Sequence, residues 1–233
     1  MSAFGKRGGM SGGRPSFGVA KPMKGSGKAQ AIPAEPEGGD QFPPLDELTP
    51  AVSRAFQRAS TLLSEAGAGL IDADFSYFEE IESKNGCGVI EHVDALAWHK
   101  ELLERRGHDY DPNVRGRVEK GATIAAWEYA AMQEWRKDVI ARFDKDTFAF
   151  DALILPTVGT TAPTMDECER DEGNIRSKLL RNPSLFNFLD RPAITIPIHI
   201  PGEAPVGLMV AGERDQDWRL LSVARALESI VSN

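Results

Sequence analysis

This 233-residue chain has only two cysteines, four histidines and three tyrosines, and no long apolar run. Each scarcity excludes something. Cys87 and Cys168 lie far apart and form no CxxC pair, so neither a disulfide framework nor a cysteine zinc site is written here. Two thiols without partners suit a reducing cytoplasm, the expected compartment. No apolar stretch approaches the roughly 20 residues a membrane-spanning helix needs. Nor does a hydrophobic core follow the first basic residues, so a secretory signal is not expected. His92 and His99 stand seven apart on an expected helix, too far for one metal ion. The S-x-x-K spacing of Ser–Lys hydrolases does not occur.

What is present is unevenly distributed. Residues 1–48 hold ten of the 22 glycines and six of the 15 prolines, with neither helical nor strand periodicity. Such a segment buries too little apolar surface to offset ordering its backbone, and a disordered tail is expected. Six basic residues (Lys6, Arg7, Arg14, Lys21, Lys24 and Lys28) give residues 1–39 a net charge of +4, which leaves −12 on the rest. An acidic body of that kind lacks the electrostatic footprint of a nucleic-acid binder. The basic tail hints at an anionic partner.

From Thr49 the pattern changes. Thr49-Pro50 is a helix start, and Val52, Ala55, Phe56, Ala59, Leu62, Leu63 and Ala66 fall on one face before Gly67 stops the helix. Ala68–Ile71 reads as a short strand, and Asp74 as the cap of a short helix through Ile81. A helix follows from Val89 to Arg106. A long one from Asp111-Pro112 carries the stripe Val114, Val118, Gly121, Ala125, Met132, Trp135, Val139, Phe143. Asp151–Leu155 is a continuous apolar strand of the kind covered on both faces. Ala193–Ile200 and Val206–Ala211 are joined by too few residues for a parallel crossover and should pair antiparallel. Trp218–Ile230 closes the chain as an amphipathic helix. The whole reads as an α/β fold, a mixed sheet with flanking helices over residues 49–233.

Several motifs tempt. Gly8-Gly9-Met10-Ser11-Gly12-Gly13 has the look of a nucleophile loop, but neither a strand before Ser11 nor a helix after it is expected. Gly25-Ser26-Gly27-Lys28 ends like a phosphate loop. Pro22 stands at its first glycine and Ala29 at its metal-binding hydroxyl, so it is rejected. The better candidate is the loop Pro156-Thr157-Val158-Gly159, which leaves the end of a buried strand, where ligands gather in α/β sheets. Asn187, ahead of the next strand, joins it as a candidate.

A series of segments, in order, resembles the C-terminal part of amidase-signature hydrolases: SEAGAGLID; Asp111, Pro112, Val114, Arg115, Arg117 and Gly121; the helix WEYAAMQEWR; Asp151, Leu153, Pro156 and Thr157; Asn187, Pro192, Ala193 and Pro197; and Pro205, Gly207 and Leu208. The first 25 residues faintly resemble the leader of pilus-assembly ATPases, without an ATPase domain. The amidase resemblance implies hydrolysis of carbon–nitrogen amide bonds without metal or organic cofactor. It also implies that Pro156, Thr157, Val158, Gly159 and Asn187 border the substrate pocket. Family members carry a nucleophilic Ser in D-x-G-G-S-I/V-R, a second Ser in G-G-S-S-G-G and a Lys further upstream, which together move the proton to the leaving amine. None of the three is found here, so no catalytic residue is assigned. The expectation is a truncated lobe, inactive alone, that works with an N-terminal amidase lobe or self-associates. Two alternatives stand beside it: a non-catalytic scaffold docked by its basic tail, and a truncated or fused reading frame.

Overall fold

Residues 48–73, 75, 77–85 and 88–232, and the backbone of 2–6, are described by a computed structural model. They divide into two units, residues 1–75 with 144–233, and residues 76–143.

The first unit is built on a five-stranded sheet of order β2-β1-β3-β5-β4. Its strands are β1 (Ser2–Lys6), β2 (Leu70–Asp72), β3 (Phe150–Pro156), β4 (Ala193–Pro197) and β5 (Gly207–Ala211). Helices α1 (Pro50–Glu65) and α8 (Asp217–Val231) bury Val52, Phe56, Leu63, Leu220 and Leu227 against Ala152, Ile154, Ile196, Leu208 and Val210. Period two explains which strand residues take part: 152 and 154 face these helices, while Leu153 and Leu155 point to the opposite face and are also buried. The continuous apolar reading of this strand is therefore correct. Ala211 on β5 pairs with both Leu153 and Ala193, and Leu208 with both Pro156 and Ile196, so β5 is the common register mark.

The α/β class, the flanking helices and the antiparallel β4–β5 hairpin match expectation. Each of the four pairings among the described strands is antiparallel, so the parallel component of a mixed sheet is not among them. The topology supplies the reason. The crossover through α6 (Met165–Arg170) and α7 (Glu172–Phe188) brings β4 back in the direction of β3, but β5 then returns between them. A second difference is β1. The expected tail of residues 1–48 contributes Ser2–Lys6 as a strand between β2 and β3. Met1 and residues 7–47, with the glycine-rich motifs around Ser11 and Lys28, lie outside the described residues, as do Asp74 and Cys87.

The second unit is helical, with α2 (Tyr77–Asn85), α3 (Val89–Arg106), α4 (Pro112–Glu119) and most of α5 (Ala126–Thr147). Phe78 and Phe143 are fully buried with ring centroids 5.9 Å apart, and Tyr77 meets Phe143 edge-on. The long helix expected from Asp111 is two helices broken by a 3-10 turn over Lys120–Thr123 and an extended Ile124. Gly121 is the cause. A Cβ there would sit 2.3 Å from the carbonyl oxygen of His92, so the chain passes against the α3 backbone where only glycine fits. Asp111 caps α4, its carboxylate accepting from the backbone N–H groups of Asn113 and Val114. His99 meets the Tyr110 hydroxyl through Nδ1 at 2.8 Å. No group of three His, Cys, Asp or Glu among the described residues could hold a metal ion. No described helix is long and apolar enough to cross a membrane.

Candidate functional site

β2, β3 and β4 run one way and β1 and β5 the other, as the antiparallel pairings require. The C-terminal ends of β3 and β4 and the start of β5 therefore share one edge of the sheet. The candidate loop leaves from this edge. Pro156 is buried, and its carbonyl accepts from the side-chain amide of buried Asn182 on α7 at 2.8 Å. Thr157 donates its N–H to the Gly207 carbonyl at 2.9 Å and brings its hydroxyl to 3.1 Å from that of Thr195 on β4. Val158 and Gly159 are half-buried, and the Gly159 carbonyl accepts from Thr49 N–H at 2.8 Å. Thr49 is thus fixed by its backbone at the head of α1, with no side-chain capping bond. Both ends of the loop are held, by β5 on one side and by the start of α1 on the other.

Gly207 makes this geometry possible. A Cβ at that position would lie 2.4 Å from Thr195 Cγ2 and 2.8 Å from Thr157 Oγ1. Its absence lets two hydroxyls approach over one backbone, with Thr195 on the exposed face of β4. The pair offers hydroxyl donors and acceptors beside apolar strand ends, a suitable lining for a polar amide. Sequence reasoning missed Asn182 and Thr195. Asn182 lies inside a helix next to Pro183, where nothing marks it as the holder of the loop.

Asn187 is elsewhere. It is exposed on the last turn of α7, where its carbonyl accepts from Asp190 N–H at 3.2 Å. It lines a shallow depression of about 320 Å³ with Phe186, Asp190, Arg191, Arg214 and Asp215, at the start of β4 and the end of β5. Ala193, at the start of β4, is level with Leu153, three residues before Pro156, so this depression lies toward the opposite end of the strands from the loop. Asp190 and Asp215 both adopt left-handed backbone there, with φ of 56° and 61°.

Beneath the depression Arg191 is nearly buried. It donates to the Gly212 carbonyl (3.0 Å) and to Thr147 Oγ1 (2.7 Å) and pairs with Asp144 at 2.7 Å. Arg214 reaches the other Asp144 oxygen at 3.0 Å. Burial pulls the Arg191 guanidinium below its ordinary value and the Asp144 carboxylate opposes that shift. The cluster ties the last turn of α5 to the outer ends of β4 and β5 and gives the depression a rigid floor.

Comparison with known proteins gives the family and the fold. The amidase family model matches residues 39–221. The chain is 24% identical over 193 residues to 2-amino-5-chloromuconic acid deaminase of Comamonas testosteroni, covering 80% of this chain and 41% of that protein. It is 26% identical over 201 residues to indoleacetamide hydrolase of Pseudomonas savastanoi, covering 79% and 43%. The fold superposes on allophanate hydrolase of Kluyveromyces lactis with a TM-score of 0.72 at 16% identity, over 82% of this chain and 31% of that one. The chain thus spans about two-fifths of the length of the two curated relatives and a third of the solved structure. On the family match the chain belongs to the amidase family.

Proposed function

We propose that the chain is the pocket-forming lobe of an amide hydrolase whose Lys and two Ser are carried by another segment or polypeptide. One observation carries the reading. The family motifs run in order through residues 50–233, while D-x-G-G-S and G-G-S-S-G-G do not occur in the 233 residues. The named relatives act on carbon–nitrogen bonds, which supports a small amide as substrate. In the completed enzyme Pro156–Gly159 walls the acyl side of the cleft, with the Thr157 and Thr195 hydroxyls as its polar contacts. The nucleophile and the N–H groups that hold the oxyanion come from the other segment. Asn187, on the last turn of α7, borders the far side of the cleft from the depression beside the start of β4. No metal or organic cofactor enters this chemistry.

The test is turnover of a panel of aryl and alkyl amides. The purified chain is assayed alone and after mixing with N-terminal lobes cut from the Comamonas and Pseudomonas relatives, with Ser11→Ala as a control. Turnover that appears only on mixing is the expected result. Turnover by the chain alone that survives Ser11→Ala would overturn the reading, since a nucleophile would then lie within these residues.

A second reading, a scaffold docked on an anionic partner, is favoured by the +4 charge of residues 1–39 on an otherwise acidic chain. Its test is retention on heparin after Arg7, Arg14, Lys21, Lys24 and Lys28 are changed to Gln. Deletion of residues 1–48 is unsuitable, because it also removes β1 from the sheet. Retention that survives the five changes would exclude this reading.

A further inference from the structure

We propose that α3 is a self-docking helix, and that the occupant of its exposed face is α3 of a second copy, packed antiparallel about a twofold axis beside Trp98. The pairing does not depend on whether the chain is one lobe of a split amidase.

α3 carries apolar side chains in solvent. Trp98 is 85% exposed and Leu102, one turn on, is 39% exposed. Another side of the helix meets the rest of the helical unit, through the His92 backbone and Leu96 at Gly121 and through His99 at Tyr110. On the outward side Glu91, Ala95, Trp98, Leu102 and Arg105 follow one another at spacings of four, three, four and three. That spacing makes one seam along the helix, about 21 Å long. Its middle is apolar and both its ends are charged, as in the core and rim of a small interface.

The seam is its own complement. Antiparallel pairing sets Glu91 opposite Arg105, Ala95 opposite Leu102 and Trp98 opposite Trp98. Opposite charges then meet at both ends, a small residue faces a large one, and the two indoles meet at the axis. Parallel pairing would set Glu91 on Glu91 and Arg105 on Arg105. The order of charge and size along the seam therefore selects a second copy, and selects its direction. Both end charges are within reach of a partner. Arg105 is 67% exposed, and the Glu101 that pairs with it at 3.3 Å is itself in solvent. Glu91 is exposed and accepts only a neutral donor in the helical unit, the Asn85 side-chain amide at 3.1 Å, which leaves its charge in place.

Two features keep the affinity low. A single pair of helices meeting along one seam buries less than the roughly 1,200 Å² of a stable interface. Asp94 and Glu101 also run along one flank of the seam, and antiparallel pairing brings them together as like charges. Each has a local partner that eases this, the Tyr129 hydroxyl at 2.8 Å for Asp94 and Arg105 for Glu101. The dimer should dissociate with a constant on the order of 10–100 μM.

Sedimentation equilibrium of the full chain under reducing conditions, from about 5 to 500 μM, tests this. A reversible monomer–dimer equilibrium is expected, with the monomer dominant at the few micromolar of an unfolding experiment. Each substitution counts twice in a twofold contact, so Trp98→Ala should weaken the dimer by about tenfold or more. Glu91→Arg alone and Arg105→Glu alone should do the same, since each sets like charges at both ends. An equimolar mixture of those two variants should assemble again, because every end contact between them joins opposite charges. Far-ultraviolet circular dichroism checks that each variant is folded. Should a charge reversal unfold the chain, the comparison with Trp98→Ala still decides. A chain that stays monomeric over the whole range overturns the proposal. So does a dimer that survives Trp98→Ala, since another surface then joins the copies, and so does a mixture of the two folded charge variants that stays monomeric. A complex with the N-terminal lobe of either named relative that Trp98→Ala abolishes makes that lobe the occupant and overturns the choice of a second copy.

Discussion

α1 and α3 are nearly equal in length, sixteen and eighteen residues, and opposite in what they bury. α1 buries Val52, Ala55, Phe56, Ala59, Ser60 and Leu63 in one stripe against the sheet. α3 buries Ile90 alone and leaves Trp98 85% exposed. The two sequences explain the difference. The apolar residues of α1 fall at spacings of three and four on a single face. Those of α3 fall on two faces, Ile90, Val93 and Leu96 on one and Ala95, Trp98 and Leu102 on another. A helix with two half-stripes fills neither core well. The sheet unit is thus stabilised by packing, and the helical unit by a small aromatic centre with exposed ion pairs around it.

The ion pairs sharpen the contrast and carry the largest expected effect. Arg191 and Asp144 in the sheet unit are 4% and 31% exposed, whereas Arg105 and Glu101 on α3 are 67% and 80% exposed. Arg191→Ala leaves Asp144 to Arg214 alone and takes away the buried donor to the Gly212 carbonyl, and should cost about 3–5 kcal/mol. Arg105→Ala should cost at most about 0.5 kcal/mol, with solvent screening the pair. Urea denaturation followed by circular dichroism measures both. Equal effects would mean that burial does not separate the two units.

Next in size is the direct comparison of the helices. Leu63 is fully buried on α1, and Leu63→Ala should cost about 3 kcal/mol, with a cavity against the sheet. Trp98→Ala on α3 removes a larger side chain yet should stay within about 0.5 kcal/mol. If Trp98→Ala proves as costly as Leu63→Ala, the α3 face is covered in solution.

A glycine pair tests the helical unit from within. Gly121→Ala forces a methyl into the His92 carbonyl and should destabilise by about 1–3 kcal/mol. Gly116, inside α4, has open space around it, and Gly116→Ala should stabilise by roughly 0.5–1 kcal/mol. Opposite signs from the same chemical change within five residues separate close approach from backbone entropy, and thermal midpoints suffice to read them.

Where the sequence was readable follows the same division. α1, β3, the β4–β5 hairpin and α8 were legible because one face of each meets a continuous core, so period and burial agree. The break between α4 and α5 was not. Gly121 sits in step with the apolar stripe, and its role depends on where the His92 carbonyl lies. β1 was invisible because Ser2–Lys6 has no alternation of its own and its pairing comes from partners 66 or more residues away. For the candidate site, Pro156–Gly159 was legible as the end of a buried strand. Asn182 and Thr195, which complete it, come from a helix and a hairpin that only tertiary structure brings there. Asn187 was chosen from the same motif run, and it lines a depression beside the start of β4, toward the other end of the strands.

The smallest effect concerns how each unit holds a carboxylate, and salt tells the two apart. In the helical unit Glu80 accepts from Trp135 Nε1 at 2.9 Å, with Lys84 and Arg142 also at its oxygens. In the sheet unit Glu203 is held by Arg58 at 2.8 Å and by the Ile200 N–H. Both carboxyls sit below the ordinary Glu value of 4.5, Glu80 first through the indole hydrogen bond and Glu203 first through Arg58. A depressed folded pKa means stability that is fully present above the unfolded value and lost as pH falls through the folded one. Glu80→Gln and Glu203→Gln should therefore each narrow the gap to the parent protein as pH drops below about 4.5. The Glu203 contribution comes first from a pair of charges in solvent, and about 0.5 M salt should remove most of it. The Glu80 contribution comes first from a neutral N–H, which ions screen poorly, and should persist. Midpoints at pH 3 to 7, with and without salt, measure both. Equal salt sensitivity would mean that Lys84 and Arg142, rather than Trp135, hold Glu80 ionised.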